Sequence, residues 1–309
     1  MHFAQSMKNN LNLNKIFKIA TIPVILLIAL ILFLKWFSKK VKVVATAHEA
    51  PYNRDKWGKI AKLFFKFNEK QFLSFNGIKT AISKPLCDFY KREYNVDIKF
   101  IANGVNLSEE RMPDTAMSFW PKELQKGSSF VFFAARRIMG TKGLHTMLEA
   151  YKRINYAGNI FVAGEMDNFP AYITKIKKIS QGLNVFFLGY VHPLPALMSL
   201  IDKCEYFVFP SETEGMSIML LEVASSGKPI IASDIPENTQ VFEAEDVLYF
   251  KSKDVNDLSQ KLLWIENNKT EFESKGGNAK QTVATKFTWG EITRAYCEIY
   301  NDALSKASV

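Results

Sequence analysis

The sequence predicts an α/β protein built on a doubly wound parallel sheet, and three observations carry that prediction. Short apolar runs alternate with helix-forming stretches across 130–265, the pattern of successive βα units that place helices on both faces of a parallel sheet. One of these units, Phe207–Glu222, joins an apolar run ending at Pro210 to a polar loop and then to a helix-forming segment that begins near Ser217. Such strand–turn–helix junctions are where open α/β sheets put their ligands. The third observation is size: 309 residues, 48% hydrophobic and 23% charged, give one or two domains with ample length for a core.

The net charge of +9 favours anionic partners: phosphates, acidic lipid or nucleic acid. Nucleic acid is set aside, because no binding signature interleaves the basic residues with surface aromatics. Cys87, Cys204 and Cys297 are few, odd in number and scattered, without metal-ligand spacing or a disulfide framework. That usage fits a reducing cytoplasm.

In chain order, Ile19–Leu34 comes first, a run of sixteen uncharged, mostly apolar residues between Lys18 and Lys35. A spanning helix needs about twenty residues, so the run has three readings: a buried helix of the first domain, a monotopic interfacial helix, or a true span. No small-residue cleavage site follows, which argues against a signal peptide. The basic cluster Lys35, Lys39, Lys40 and Lys42 suits an anionic leaflet, or simply caps a helix and opens the next strand. Val41–Ala47 reads as a strand ending at His48. Lys59–Asn76 has helical periodicity through Ile60, Leu63, Phe64, Phe67 and Phe72. Ile78–Ser83 reads as a strand, Pro85–Tyr94 as a helix, and Lys99–Ala102 as a short strand running into the turn Asn103-Gly104-Val105-Asn106. Residues 107–128 contain Pro113 and Pro121 without periodicity and read as an interdomain linker.

Phe130–Ala135 opens the second domain as a buried strand, with Leu144–Ile154 as the following helix. Asn159–Ala163 and Asn184–Leu188 are the next strands, each ending at a glycine, Gly164 and Gly189. The helix that starts near Ser217 ends around Gly227-Lys228-Pro229, a C-cap glycine followed by proline. Pro229–Ala232 gives another strand, 233–238 a loop at its end, Val255–Ile265 an amphipathic helix, and Trp289–Leu304 a closing helix.

Glu214 and Glu222 stand eight positions apart, and between them Gly215, Met216 and Ser217 offer backbone N–H groups at a helix N-terminus. That is a ready anion site, and carboxylates on either side of it suit a phosphate-linked group carrying hydroxyls, such as a nucleotide sugar. The E-x7-E spacing resembles the motif of family 4 glycosyltransferases, retaining enzymes of the two-Rossmann GT-B fold. Other segments match in order. Thr46-Ala47-His48 is similar to the family's T-x-H-G turn, with Glu49 in place of the glycine. Arg54-Asp55-Lys56-Trp57-Gly58 resembles the R-x-K-W-G of a bacterial polysaccharide branch, and Asn103-Gly104-Val105-Asn106 the N-G-V-D that closes the first domain. Arg137 with Lys142-Gly143 is similar to G-R-x-x-x-x-K-G, with Arg136 where the family has glycine. Met166 stands where relatives often have a second glycine.

The resemblance, covering roughly 41–304, implies a GT-B protein of two Rossmann-like domains. Residues 1–106 would form an acceptor-side domain that is incomplete and lacks its opening units. A linker at 107–128, a nucleotide-sugar donor domain at 129–287 and a helix at 288–309 crossing back to the first domain would follow. It implies retaining transfer of a hexosyl or deoxyhexosyl group from a nucleoside-diphosphate-sugar to a glycan or lipid-linked sugar acceptor in cell-surface polysaccharide synthesis. The protein would be cytoplasmic, or peripheral at the anionic inner face of the membrane. On the family pattern Arg137, Lys142 and the N–H groups of Gly215, Met216 and Ser217 hold the donor diphosphate, and Glu222 holds the ribose. Glu214 holds the donor sugar hydroxyls, His48 approaches the sugar from the other domain, and the nucleobase meets the backbone near Tyr190. His48 and Glu214 are the expected catalytic pair. No metal or other cofactor is expected, in keeping with the lack of a D-x-D motif. Three readings compete: a merely solvated loop and helix face for the two glutamates, an inactive transferase or partner subunit keeping only nucleotide-sugar binding, and a non-transferring GT-B enzyme such as an epimerase. The paired motifs weigh against the first and third, and the short first domain favours the second.

Overall fold

The computed structural model describes residues 43–49, 58–107 and 110–305. The apolar run 19–34 and most of the Arg54–Gly58 segment lie outside the described residues. The chain divides into two compact units, with boundaries at Thr80/Ala81 and Glu298/Ile299.

In the first unit, strands β1 (Val44–Ala47) and β2, which starts at Ile78 and runs to Ala81 across the boundary, flank helix α1 (Lys59–Ser74) in sequence. The Ile78 N–H donates to the Val43 carbonyl at 3.0 Å, and the Thr46 and Thr80 hydroxyls meet at 2.8 Å. Helix α1 forms where its apolar period places it, but three residues of the stripe do not pack. Ile60, Leu63 and Phe67 are 87%, 70% and 46% exposed, whereas Glu69 is buried. A 3.6-residue period identifies a helix without fixing which side meets the core. Here the packed side carries Phe65, Glu69 and Phe72, and exposed Lys59, Lys66 and Lys70 run beside the apolar stripe.

The second unit opens with helix α2 (Lys84–Tyr94), capped by Ser83, whose side chain accepts from the Leu86 N–H. Strand β3 (Lys99–Phe100) follows. Within the stretch expected to be a linker, Pro113 starts a short helix, α3 (Pro113–Met117). This stretch is held against the unit's core. The Met112 N–H donates to Ser199 Oγ at 2.9 Å, Arg111 pairs with Asp202 at 2.6 Å, and the buried Trp120 ring meets Phe130 and Phe161 edge-on.

Six strands build the main sheet: β4 (Phe130–Arg137), β5 (Asn159–Glu165), β6 (Asn184–Gly189), β7 (Phe207–Phe209), β8 (Ile230–Ser233) and β9 (Leu248–Phe250). Their order is β6-β5-β4-β7-β8-β9 and every pair is parallel. Helices α4 (Leu144–Arg153), α5 (Pro170–Ile179), α6 (Leu194–Ile201), α7 (Ile218–Ser225) and the short α8 (Pro236–Thr239) connect successive strands. Helices α9 (Val255–Asn267), α10 (Lys269–Lys286) and α11 (Trp289–Ser305) follow the last strand. This is the doubly wound order expected from the alternation in the sequence. The chain builds outward from β4 on one side, then returns past it to β7. A crevice therefore opens where β4 and β7 end. The inner strands β5, β4, β7 and β8 are largely buried on both faces, as parallel strands must be: Phe130 stacks on Phe161 at 4.0 Å, and Phe132 meets Phe207 at 5.8 Å. Each such side chain contributes roughly 1.5–3 kcal/mol by leaving water, which makes β4 the rigid base for the loops at its end.

Candidate functional site

Two loops meet in the crevice between β4 and β7, and three contacts join them. The loop after β4 passes through one 3-10 turn, Gly140–Lys142, into α4. Gly143 then takes φ +69°, and a Cβ there would lie 1.8 Å from the Pro210 carbonyl oxygen, so only glycine fits. Next to it the Glu212 N–H donates to the Thr141 carbonyl at 2.8 Å. The third contact joins two residues singled out from the sequence. Lys142 Nζ lies 2.7 Å from Glu214 Oε1, with the side chains 28% and 9% exposed.

Helix α7 begins beside this pair. Ser217 caps it by accepting from the Leu220 N–H at 3.3 Å. Among the described residues the backbone N–H groups of Gly215, Met216 and Ser217 make no hydrogen bond. They belong to the N-cap of α7 and the two residues before it, and unbonded they can take an anion. Met216 itself is buried; its carbonyl accepts from Asn103 Nδ2 at 3.0 Å and its sulfur from the Asn103 N–H at 3.2 Å. The turn marked in the sequence at Asn103 thus fixes the tip of the loop. Glu222 lies a turn further along α7 and is buried. Arg137, at the end of β4, is engaged elsewhere, its Nε 3.5 Å from Glu165 Oε2 at the end of β5. His48 is exposed just past β1 and belongs to the other compact unit.

Sequence reasoning missed the brace behind the loop. Glu212 Oε1 faces His145 Nε2 at 3.4 Å, and Glu212 Oε2 faces Lys253 Nζ at 3.3 Å. The Tyr172 hydroxyl accepts from the His145 N–H at 3.3 Å and meets His145 Nδ1 at 3.0 Å. Burial, aided by the charges of Lys175 and Lys253, holds the His145 pKa below its usual 6.5, while Glu212 and Glu149 pull it upward. The neutral ring fits its partners: Nδ1 accepts from the Tyr172 hydroxyl and Nε2–H points to Glu212. The one available signal was the position of Glu212, two residues before Glu214 in a loop already marked.

A pocket of about 220 Å³ opens at the ends of β4, β5 and β6, lined by Ala134, Ala163 and Gly164 and by Tyr190 and His192 beyond β6. The Tyr190 and His192 rings lie parallel, 6.1 Å apart. Met219, in the first turn of α7, also lines it, so the pocket adjoins the free N–H groups. Among the described residues no group of three or more His, Cys, Asp or Glu side chains is placed to hold a metal ion.

Comparison with known proteins brings this arrangement into a wider set. The family described as "Glycosyl transferases group 1" matches residues 117–282. The chain is 28% identical over 188 residues to N,N'-diacetylbacillosaminyl-diphospho-undecaprenol alpha-1,3-N-acetylgalactosaminyltransferase of Campylobacter jejuni, covering 59% of this chain and 47% of that protein. It is 29% identical over 203 residues to D-rhamnosyltransferase WbpZ of Pseudomonas aeruginosa, covering 64% and 51%. The chain spans about half the length of these curated relatives. Among solved structures, sucrose-phosphate synthase from Thermosynechococcus elongatus superposes with a TM-score of 0.68 at 20% identity, covering 85% of this chain and 68% of that one. Anabaena Alr3699/HepE in complex with UDP and glucose superposes with a TM-score of 0.70 at 16% identity, covering 84% and 72%. At these identities the likeness shows the fold, GT-B with parallel α/β sheets.

Proposed function

This chain belongs to the group 1 glycosyl transferases, and on that premise we propose that it transfers a sugar, with retention, from a nucleoside-diphosphate-sugar to a glycan or lipid-linked acceptor in cell-surface polysaccharide synthesis. One observation carries the reading: the Lys142–Glu214 pair beside the unbonded N–H groups of Gly215, Met216 and Ser217 at the switch point. Lys142 and Glu214 satisfy each other's charge, since a carboxylate as enclosed as Glu214 would be costly alone. Donor binding exchanges the partners. The diphosphate takes Lys142 and the helix N-terminus, and the sugar hydroxyls take the oxygens of Glu214. Arg137 joins them readily, because its contact with Glu165 is long and half exposed, a pairing worth little. As the glycosidic bond breaks, charge grows on the departing phosphate, and donors already in place stabilise it without reorganising. Glu222 holds the ribose, and His48 orients the sugar or the acceptor. No carboxylate is assigned as a nucleophile, so the acceptor attacks from the leaving-group face and the anomeric configuration is kept. No metal or other cofactor is assigned a role.

The relatives support the substrate class. The Campylobacter protein is named for an undecaprenol-linked acceptor, the Pseudomonas protein for a deoxyhexose, and the Anabaena structure holds UDP and glucose. The proposed working surface is the anionic inner face of the cell membrane, supported by the exposed apolar stripe and lysines of α1.

Two substitutions test the reading by what each does to kcat and KM. Glu222→Ala should raise the donor KM with little change in kcat, because a ribose contact is equally strong in ground and transition states. Lys142→Ala should lower kcat/KM by about a hundredfold or more, much of it in kcat. Because this change also strands Glu214, the double variant Lys142→Ala/Glu214→Gln serves as a folding control. Wild type and Lys142→Ala binding every nucleoside diphosphate with equal affinity in calorimetry would sink the donor-site assignment.

A further inference from the structure

The pocket beyond β6 contains a residue that the proposed chemistry does not use. Arg136 lines it together with Ala135 and Gly164, beside the parallel rings of Tyr190 and His192. Its neighbour Arg137 is engaged with Glu165, past a shift of the β4–β5 register between Ala134 and Arg137. Among the described residues no carboxylate pairs with Arg136, so its guanidinium is not committed to a structural ion pair. Met219 places the pocket directly against the start of α7, where the diphosphate would be held. A mostly apolar slot beside the proposed phosphate site fits the ring of a nucleobase.

We infer that Arg136 reads the edge of that base and selects bases presenting a keto oxygen over those presenting an amino group. The inference rests on the donor-site reading above and deepens it. A guanidinium offers five N–H donors and no acceptor. It therefore complements an edge that displays a keto oxygen, as uracil does with O4 and guanine with O6. Cytosine and adenine place an amino group at the corresponding position, which leaves donor facing donor. A bidentate contact to guanine O6 and N7 typically discriminates about five- to a hundredfold, and uracil is told from cytosine through the single oxygen O4. A glycine at position 136 would supply neither charge nor donor.

The experiment measures calorimetric binding of UDP, CDP, GDP and ADP to the full-length chain and to Arg136→Gly, Arg136→Lys and Lys142→Ala. The expected result is that UDP exceeds CDP, and GDP exceeds ADP, by at least about fivefold in wild type. Arg136→Gly should abolish both preferences. Arg136→Lys keeps a charged group that only donates, so it should keep the preferences in weakened form. Lys142→Ala should weaken all four ligands while keeping the preferences. Equal weakening of all four ligands by Arg136→Gly, restored by Arg136→Lys, would make Arg136 a phosphate contact and overturn the inference. Preferences that survive Arg136→Gly would overturn it too, leaving the donor site intact. A wild-type chain that binds none of the four would remove the donor-site reading and this one with it.

Discussion

At the scale of single residues, the sequence made legible the groups to which a donor is assigned, because their spacing is local. Lys142 and Glu214 come from different loops, yet each sits in a short recognisable pattern, and the structure joins them at 2.7 Å. The residues that hold those loops in place were not legible, since His145, Tyr172, Glu212 and Lys253 are brought together only by the sheet. This brace carries a pH dependence. The His145 pKa is lowered on folding by burial and by Lys175 and Lys253, against the pull of Glu212 and Glu149. The unfolded chain therefore takes up a proton before the folded one does, and stability rises with pH through that window. The contribution is fully present above about 6.5, the unfolded value, and is lost as pH falls through the lower folded value. Melting temperatures measured from pH 7.5 down to pH 5 should thus fall less steeply for His145→Gln than for wild type. Parallel curves would mean that His145 does not titrate differently in the two states.

At the scale of elements, strands of the main sheet were the most legible, because parallel strands buried on both faces read as continuous apolar runs. Among the helices missing from the sequence reading, α6 and α10 were hidden for opposite reasons. In α6, Ala196–Ile201 are all buried, so no polar face exists to create a period. In α10 a glycine pair interrupts a polar segment, and a Cβ on Gly276 would lie 2.3 Å from the Gly227 carbonyl oxygen. The glycine that weakens the helix signal is what lets α10 pack against the turn after α7. Helix α1 shows the reverse case, a clear period whose apolar side faces out. Exposed Ile60, Leu63 and Phe67 beside exposed Lys59, Lys66 and Lys70 make a surface suited to an anionic bilayer. Each lysine near such a surface is worth about 1 kcal/mol. Replacing all three with Gln should weaken co-sedimentation with phosphatidylglycerol vesicles by roughly a hundredfold at low salt. Ile60→Ser/Leu63→Ser/Phe67→Ser should weaken the part that survives high salt. Unchanged sedimentation of both triple variants would take α1 out of the membrane contact.

At the scale of the whole molecule, alternation of strands and helices was enough to give the architecture of the second unit and the place of its crevice. It was not enough to divide the chain. The stretch 107–128 has no period, yet its contacts are long-range and specific: Arg111 to Asp202, Met112 to Ser199, and Trp120 on Phe130 and Phe161. A short helix and one buried aromatic ring leave no pattern in sequence, while their partners lie far along the chain. The division has a functional consequence, because Arg137, Lys142, Glu214 and Glu222 all fall in the unit Ala81–Glu298 and His48 falls outside it. Binding of the donor and transfer of the sugar should therefore separate on limited digestion. Brief proteolysis of the full chain should leave a resistant fragment of about residues 81–298. Having kept the residues proposed to hold the diphosphate, the digest should bind nucleoside diphosphates within about twofold of the intact chain, well under the tenfold that 1.4 kcal/mol represents. Transfer should be lost, because the group proposed to orient the sugar or acceptor has been removed. Cleavage within 107–128 that leaves both halves resistant would instead place the boundary where the sequence suggested it. Transfer that persists in the digested sample would remove His48 from the reaction.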